Sequence, residues 1–404
     1  MMRFPIHSIL LVLSCLTSTL LAAPRPNVIF VFSDDQRFDS LAMTGDPVTQ
    51  TPNLDQLAQE GVFFNNAFIT SPICGPSRAN IFTGQWERRN RIGFTHMSNN
   101  FVSREAFANS FLMQLKQAGY STAFVGKHHT KIVDRANTPL RQNIDFAYFG
   151  EGHLGFHLAK KGKAFFNLKK QSQIEGLFEA TEAYLRPGNE FDYFFENADL
   201  SVKEQLKRRD PAKPFVAWIN FNLPHQASLG GMGSRPGDPK FYSTLYEDEK
   251  SRIVLPAEKL GLPTDVITVE EMEPYYRLTG KRLLDTKLKT ARAVYGIDDF
   301  IGSLRKLLVE LGEDSNTIIV FCSDNGLLYG EHGIGGKTML YEESAHVPMM
   351  IYSPFLPKNQ TGRRLDALVV GQDIPATDFG SVRAEGSSRL SGEKPAAPAG
   401  RQAR

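Results

Sequence analysis

The sequence predicts an α/β fold, with a mostly parallel central sheet flanked by helices. Three observations predict it. Apolar runs of strand length recur along the chain, helical stripes separate them, and charged or metal-competent residues stand at the exits of four of the runs. Continuous apolar runs mark strands covered on both faces, and strands that alternate with helices build a parallel sheet.

The first run is Asn27-Val-Ile-Phe-Val-Phe32, bounded by Pro26 and by Ser33-Asp34-Asp35. Thr51-Pro52 then offers an N-cap and a first-turn proline for a helix with the stripe Leu54, Leu57 and Ala58 and a stop at Gly61. Ser103 caps a second helix, with Phe107, Phe111, Leu112 and Leu115 inward and Gly119 at its end. Further strands are predicted at Tyr120–Val125, Phe215–Asn220, Thr317–Ser323 and Val347–Tyr352, and a long helix from about Pro274 to Leu311. No internal repeat is visible.

A chain of 404 residues with 41% apolar content is enough for one large or two ordinary domains. Its 46 Lys and Arg against 44 Asp and Glu nearly cancel, which excludes a nucleic-acid binder driven by bulk charge and an acidic disordered protein. Three cysteines exclude a disulfide scaffold, and 33 glycines with 23 prolines exclude a collagen-like chain.

Arg3 precedes an apolar stretch from Ile9 to Leu21 that ends in Ala22-Ala23 and Pro24. This is the plan of a secretory signal peptide, residues 1–23. A membrane anchor needs roughly 20 apolar residues, and Ser14, Thr17, Ser18 and Thr19 interrupt this stretch. The expectation is a periplasmic or secreted protein with no membrane span in its mature chain. Cys74 and Cys322 then remain, and an oxidising compartment would let them pair. Their settings differ, because Cys322 lies inside an apolar run and Cys74 opens the polar run Cys74-Gly-Pro-Ser-Arg78.

Ligands of open α/β sheets sit beyond the carboxyl ends of the strands. Those ends carry Asp34-Asp35, Gly126-Lys127-His128-His129, Pro224-His225 and Asp324-Asn325-Gly326. Taken singly, each has a plain reading: a turn for the acidic pairs, a structural histidine, a small buried cysteine. Together they describe an oxygen-ligand metal site. Asp34, Asp35 and Asp324 offer carboxylates and Asn325 an amide oxygen, with no Cys or His pair at zinc spacing; such hard donors select Ca2+ or Mg2+, and a flexible carboxylate-rich set favours Ca2+. Arg78, Lys127 and Lys337 balance the three carboxylates, so a divalent ion leaves the pocket positive and suited to a sulfate or phosphate ester.

The residues resemble a known family at this point. Cys74-Gly-Pro-Ser-Arg78 is similar to the Cys-x-Pro-Ser-Arg signature of type I sulfatases, of the alkaline-phosphatase-like superfamily. The resemblance extends over about residues 26–378 and includes Asp34-Asp35, Thr51-Pro-Asn-Leu-Asp55, Gly126-Lys127-x-His129, Pro224-His225, Ser323-Asp-Asn-Gly326 and Gly336-Lys337…Tyr341-Glu-Glu-Ser344. It implies a catalytic domain over residues 24–379. It further implies that Cys74 is oxidised to formylglycine by a formylglycine-generating enzyme, and that the modified Cys74 holds Ca2+ with Asp34, Asp35, Asp324 and Asn325. Arg78, Lys127 and Lys337 would contact the sulfate or the aldehyde hydrate, His129 would be the base working on the hydrate, and His225 would stand beside the leaving oxygen. The substrate class implied is a sulfate ester of a carbohydrate. The chemistry explains the modification, since an aldehyde hydrate has one hydroxyl to attack sulfur and a second whose deprotonation ejects sulfate. A serine has no such second step.

Two departures stand out. The family often has Trp where this chain has His128. Its members generally continue into a small C-terminal subdomain, whereas residues 380–404 have no apolar period and read as a disordered tail of a chain whose small subdomain is missing or degenerate. The basic stretch Lys160-Lys161-Gly-Lys163…Lys169-Lys170 reads as a solvated face. Two other functions fit parts of the pattern. One is a phosphate or phosphonate ester hydrolase of the same superfamily; the relatives that hydrolyse phosphonate monoesters typically carry His where this chain has Asn325. The other is an inactive, truncated sulfatase-like protein that binds glycans.

Overall fold

The computed structural model describes residues 25–93, 101–134, 137–150, 173–186, 209–225, 239–253, 280–333 and 335–376, with the short strands 159–160, 193–197 and 202–205 and position 255. The expected signal peptide, the tail 380–404 and the basic residues from Lys161 to Lys170 lie outside the described residues.

The main sheet has eight strands: β1 (Asn27–Ser33), β2 (Val62–Phe68), β3 (Ser121–Lys127), β4 (Phe146–Gly150), β5 (Phe215–Asn220), β6 (Thr317–Ser323), β7 (Met349–Tyr352) and β8 (Arg363–Val370). Their spatial order is β8-β2-β7-β6-β1-β5-β3-β4. All pairings are parallel except those of β7, which runs against β6 and β2.

Helices cover both faces. Ile29 and Val31 of β1 point into a core shared with α1 (Pro52–Glu60), α4 (Gln173–Leu185) and α5 (Gly280–Glu310). The alternate residues Val28, Phe30 and Phe32 pack on the other side with α2 (Cys74–Thr83) and α3 (Phe111–Gln117). This period-2 division is why the run had to be apolar throughout. Trp218 of β5 stacks between Phe30 and Phe82, at 5.7 Å from each ring.

Register aligns the strand exits. Phe32 pairs with Asn220 on one side and Cys322 on the other, and Gly126 also pairs with Asn220. The polar residues that follow β1, β3, β5 and β6 therefore emerge at one rim.

The structure corrects the expectations in three places. The strand predicted at Val347–Tyr352 begins only at Met349; this β7 is the antiparallel member of the mostly parallel sheet, because the segment after β6 stays at the rim and re-enters the sheet from there, with Met349 opposite Cys322. The helix after Ser103 is two helices, Arg104–Ala108 and Phe111–Gln117; Ser103 does cap the first, accepting from Ala106 N at 3.1 Å. Thr51 precedes α1 but makes no side-chain cap. Its hydroxyl instead donates to Asp55 at 2.8 Å and accepts from Ala42 N at 3.0 Å. Among the described residues, no helix is long and apolar enough to cross a membrane, and Cys74 and Cys322 are both free and buried.

Candidate active site

The rim holds the predicted residues together. Cys74 is the first residue of α2, a helix buried along its whole length, and is itself 2% exposed. Asp34 N donates to Leu223 O at 2.9 Å and Asp324 N to Ser33 O at 3.1 Å, so the loops after β1, β5 and β6 are tied to one another. Asp35 adopts a left-handed φ of 63°, and His129 one of 50°. Non-glycine residues adopt this region only when their surroundings hold them there, and such strain collects at functional sites. Lys127 follows Gly126, whose φ is 100° and where a Cβ would meet Asn220 O at 1.9 Å. Only glycine lets β3 approach β5 closely enough there.

Arg78 is the knot of the site. Its guanidinium donates to Asp324 Oδ2 at 2.9 Å, Asn220 Oδ1 at 2.9 Å, Lys127 O at 3.3 Å, Phe221 O at 3.3 Å and Asp34 Oδ2 at 3.4 Å. Every N–H of the side chain has a protein acceptor, which spends Arg78 on fixing the carboxylates. Lys127 Nζ donates to Asp34 Oδ2. Lys337 Nζ lies 2.5 Å from Asp35 Oδ1 and 2.6 Å from Cys74 Sγ. Asn325 donates to Asp35 Oδ1 at 2.6 Å, Asp324 Oδ1 accepts from Asp35 N at 3.1 Å, and His225 Nε2 stands 3.5 Å from Asp35 Oδ2. Thr130 donates to Gly75 O at 3.4 Å, which lays the segment carrying His129 against the residue after Cys74. His128 turns away: it is buried edge-on against Phe124 and Phe149, 5.3 Å from each ring. Asn220, the polar last residue of an apolar run, was not singled out from the sequence, although a polar strand exit was the signal used for its neighbours.

A cation fits this set. Ligand atoms of Asp34, Asp35, Cys74 and His225 lie within 4.8 Å of one another. Asp34 Oδ1 and Asn325 Oδ1 are buried oxygens with no hydrogen-bond partner among the described residues. Buried oxygens of this kind are costly unless something positive or a donor meets them. The sequence placed Cys74 and His225 in one site but gave His225 a role beside the leaving oxygen, so its approach to the ligand atoms is new in the structure.

A family model described as Sulfatase matches residues 26–379. An arylsulfatase of Clostridium perfringens (strain 13 / Type A) is 31% identical over 388 residues, 89% of this chain and 75% of that protein. The chain belongs to the sulfatase family. It is accordingly a sulfuric ester hydrolase with the alkaline-phosphatase-like fold. A protein solved in complex with its substrate D-glucosamine-2-N,6-O-disulfate superposes with a TM-score of 0.55 at 22% identity, over 91% of this chain and 78% of that one. A phosphonate monoester hydrolase of Agrobacterium radiobacter shares the fold at a TM-score of 0.61 and 19% identity, over 91% and 74%.

The electrostatics of the sulfatase site divide its carboxylates. Burial pushes Asp34 up, but Lys127, His225, Arg78 and Lys337 outweigh it and hold the group well below the usual range. Burial dominates at Asp35, which is raised despite Lys337. Asp324 rises to about 6 through burial and repulsion by Asp34, with Arg78 opposing. Burial would discharge Lys337, yet Asp35, Cys74 and Asp34 keep its pKa well above that of a free lysine. Burial pushes the Cys74 thiol up to about 12, against the pull of Lys127 and Lys337. Burial and Lys337 hold His225 well below its ordinary value. These carboxylates repel one another strongly enough that added positive charge at their centre relieves the site.

Proposed function

We propose that this sulfatase is exported and cleaves the sulfate ester of a sulfated carbohydrate, with Cys74 converted to formylglycine and Ca2+ held by Asp34, Asp35, Asp324 and Asn325. The observation that carries the reading is the setting of Cys74. It opens a buried helix in the sequence Cys-Gly-Pro-Ser-Arg, with Lys337 against its side chain and the Asp34–Asp35 pair beside it. A hard cation suits the oxygen donors, and two of these oxygens lack any other partner among the described residues.

When present, the aldehyde hydrate supplies the attacking hydroxyl and Ca2+ supplies the charge that polarises the sulfate. The chain's own residues do the rest. Arg78 fixes Asp34 and Asp324 in place. Lys127 and Lys337, on either side of the acidic pair, bind the anionic sulfate group and orient it. His225, beside Asp35, stabilises or protonates the departing alkoxide with Lys337, and His129 accepts the proton whose removal lets sulfate leave. The alcohol departs with the ester oxygen and sulfate with the oxygen that attacked sulfur.

The sugar substrate is supported by the disulfated glucosamine bound to the structural neighbour, and export by the charged, apolar and small-residue plan of residues 1–23. The test is a matched pair of aryl sulfate and aryl phosphate presented to the converted, calcium-loaded protein. Faster turnover of the sulfate supports the reading, and faster turnover of the phosphate would move the chain to the phosphoester branch of the same fold.

A further inference from the structure

A cavity of about 350 Å³ lies beside the catalytic rim, lined among others by Arg37, Asp39, Val48, Lys287, Thr290 and Tyr329. Four distant segments build it: the loop after β1, the turn around Arg252, one face of α5, and Tyr329 in the segment after β6. Two of its lining residues leave the catalytic rim along the chain: Arg37 is two residues after Asp35 and Tyr329 four after Asn325, and Arg37 Nη1 donates to Leu327 O at 3.1 Å, which ties the two segments together.

Most charges in the lining are already committed. Asp39 accepts from Arg37 Nε and Nη2, each at 2.8 Å, and Arg37 Nη1 goes to Glu331 at 2.6 Å and Leu327 O at 3.1 Å. Asp46 Oδ1 accepts from the backbone of Val48 at 2.9 Å and Thr49 at 2.7 Å, and Arg252 pairs with Glu249 at 2.7 Å. Lys287 differs. Its Nζ lies over the Tyr329 ring, 5.4 Å from the centroid, and no carboxylate among the described residues comes within ion-pair distance. Tyr329 and Thr290 share a hydrogen bond at 3.0 Å beside it, and Val48 and Ala291 supply apolar wall. The volume suits one sugar ring, and a few polar groups on an apolar wall are how such pockets recognise sugars and other small ligands.

We propose that this cavity is a second anion-accepting subsite. It takes a neighbouring sulfate or carboxylate substituent of the sugar chain whose ester is cleaved beside Cys74, and Lys287 is the cation that receives it. The inference rests on the sulfated-carbohydrate reading above, and it deepens that reading by naming the charge pattern the substrate must carry.

Lys287→Met keeps the aliphatic stem and removes the charge. Its kinetics are compared with the parent on a small aryl sulfate, a monosulfated neutral oligosaccharide, a disulfated one, and one carrying a uronate in place of the second sulfate. The expected result is an approximately tenfold rise in KM for whichever doubly charged substrate fits, with kcat and the aryl sulfate unchanged, the size of one modest charge contact. Lys287→Arg should retain most of the selectivity, and Ala291→Leu, which fills the cavity without touching a charge, should reproduce the loss. The sulfate and uronate arms identify the substituent. Equal KM values for parent and Lys287→Met on every charged oligosaccharide overturn the subsite alone, as does an equal loss on the aryl sulfate. A parent that cleaves the aryl sulfate but no sugar sulfate overturns the carbohydrate reading and the subsite with it.

Discussion

His128 sits where the resembling family often carries Trp, and its ring is spent on packing between Phe124 and Phe149 rather than on the substrate side. Burial, with Arg78 and Arg141 adding repulsion against a hydrogen bond from its ring to Asn137, lowers its pKa from 6.5 to about 3. A histidine depressed in this way stays neutral in the fold and takes up a proton when the chain unfolds. Its contribution to stability is full above pH 6.5 and is lost as pH falls toward about 3. Each pH unit in that window costs about 1.4 kcal/mol. Denaturant unfolding should therefore show His128→Phe gaining about 2–3 kcal/mol on the parent between pH 7 and pH 4.5; parallel pH profiles would remove this assignment. Arg78 acts in the opposite sense, because its loss strands two buried carboxylates. Arg78→Met should cost about 3–5 kcal/mol in the same measurement.

The elements owe their placement to close approaches that only particular residues permit. Gly126 brings β3 against β5 and delivers Lys127 to Asp34. Gly126→Ala has to move the strand or the carbonyl of Asn220, so a loss of about 3 kcal/mol or more is expected, together with weakened substrate binding from a displaced Lys127. Near-wild-type stability and KM would contradict this. The central strands were legible because burial on both faces demands unbroken apolar runs. β2 was not, since Asn65 and Asn66 interrupt it; their amides reach across to Asp366 of β8, each at 2.7 Å. β8 itself alternates with charge and leaves Leu368 72% exposed at the sheet edge. The direction of β7 depends on where a long rim segment re-enters the sheet, which no local pattern encodes. Asp34, Asp35, Lys127, His129, His225, Asp324 and Asn325 were readable because they stand at or just after strand ends, and Cys74 and Arg78, which open a helix, because they form a polar signature run. The cavity around Lys287 was not, because it is assembled from four segments that only the fold brings together.

Over the whole molecule, both covered faces of the sheet serve to hold three mutually repelling carboxylates at one rim. Removing the cation that the rim is argued to hold should lower the melting temperature as well as activity, since anything bound only to the native state stabilises it. Chelation followed by calcium readdition tests this, and a melting temperature indifferent to calcium would count against the site. Asp324→Ala should lose bound calcium with its turnover; unchanged metal content would contradict the ligand role. The most direct test of the account is the fraction of Cys74 converted to the aldehyde, measured by peptide mass across preparations of graded conversion and set against aryl sulfatase activity. The account predicts activity proportional to that fraction and none at zero conversion, whereas full activity in protein whose Cys74 remains a thiol would contradict it.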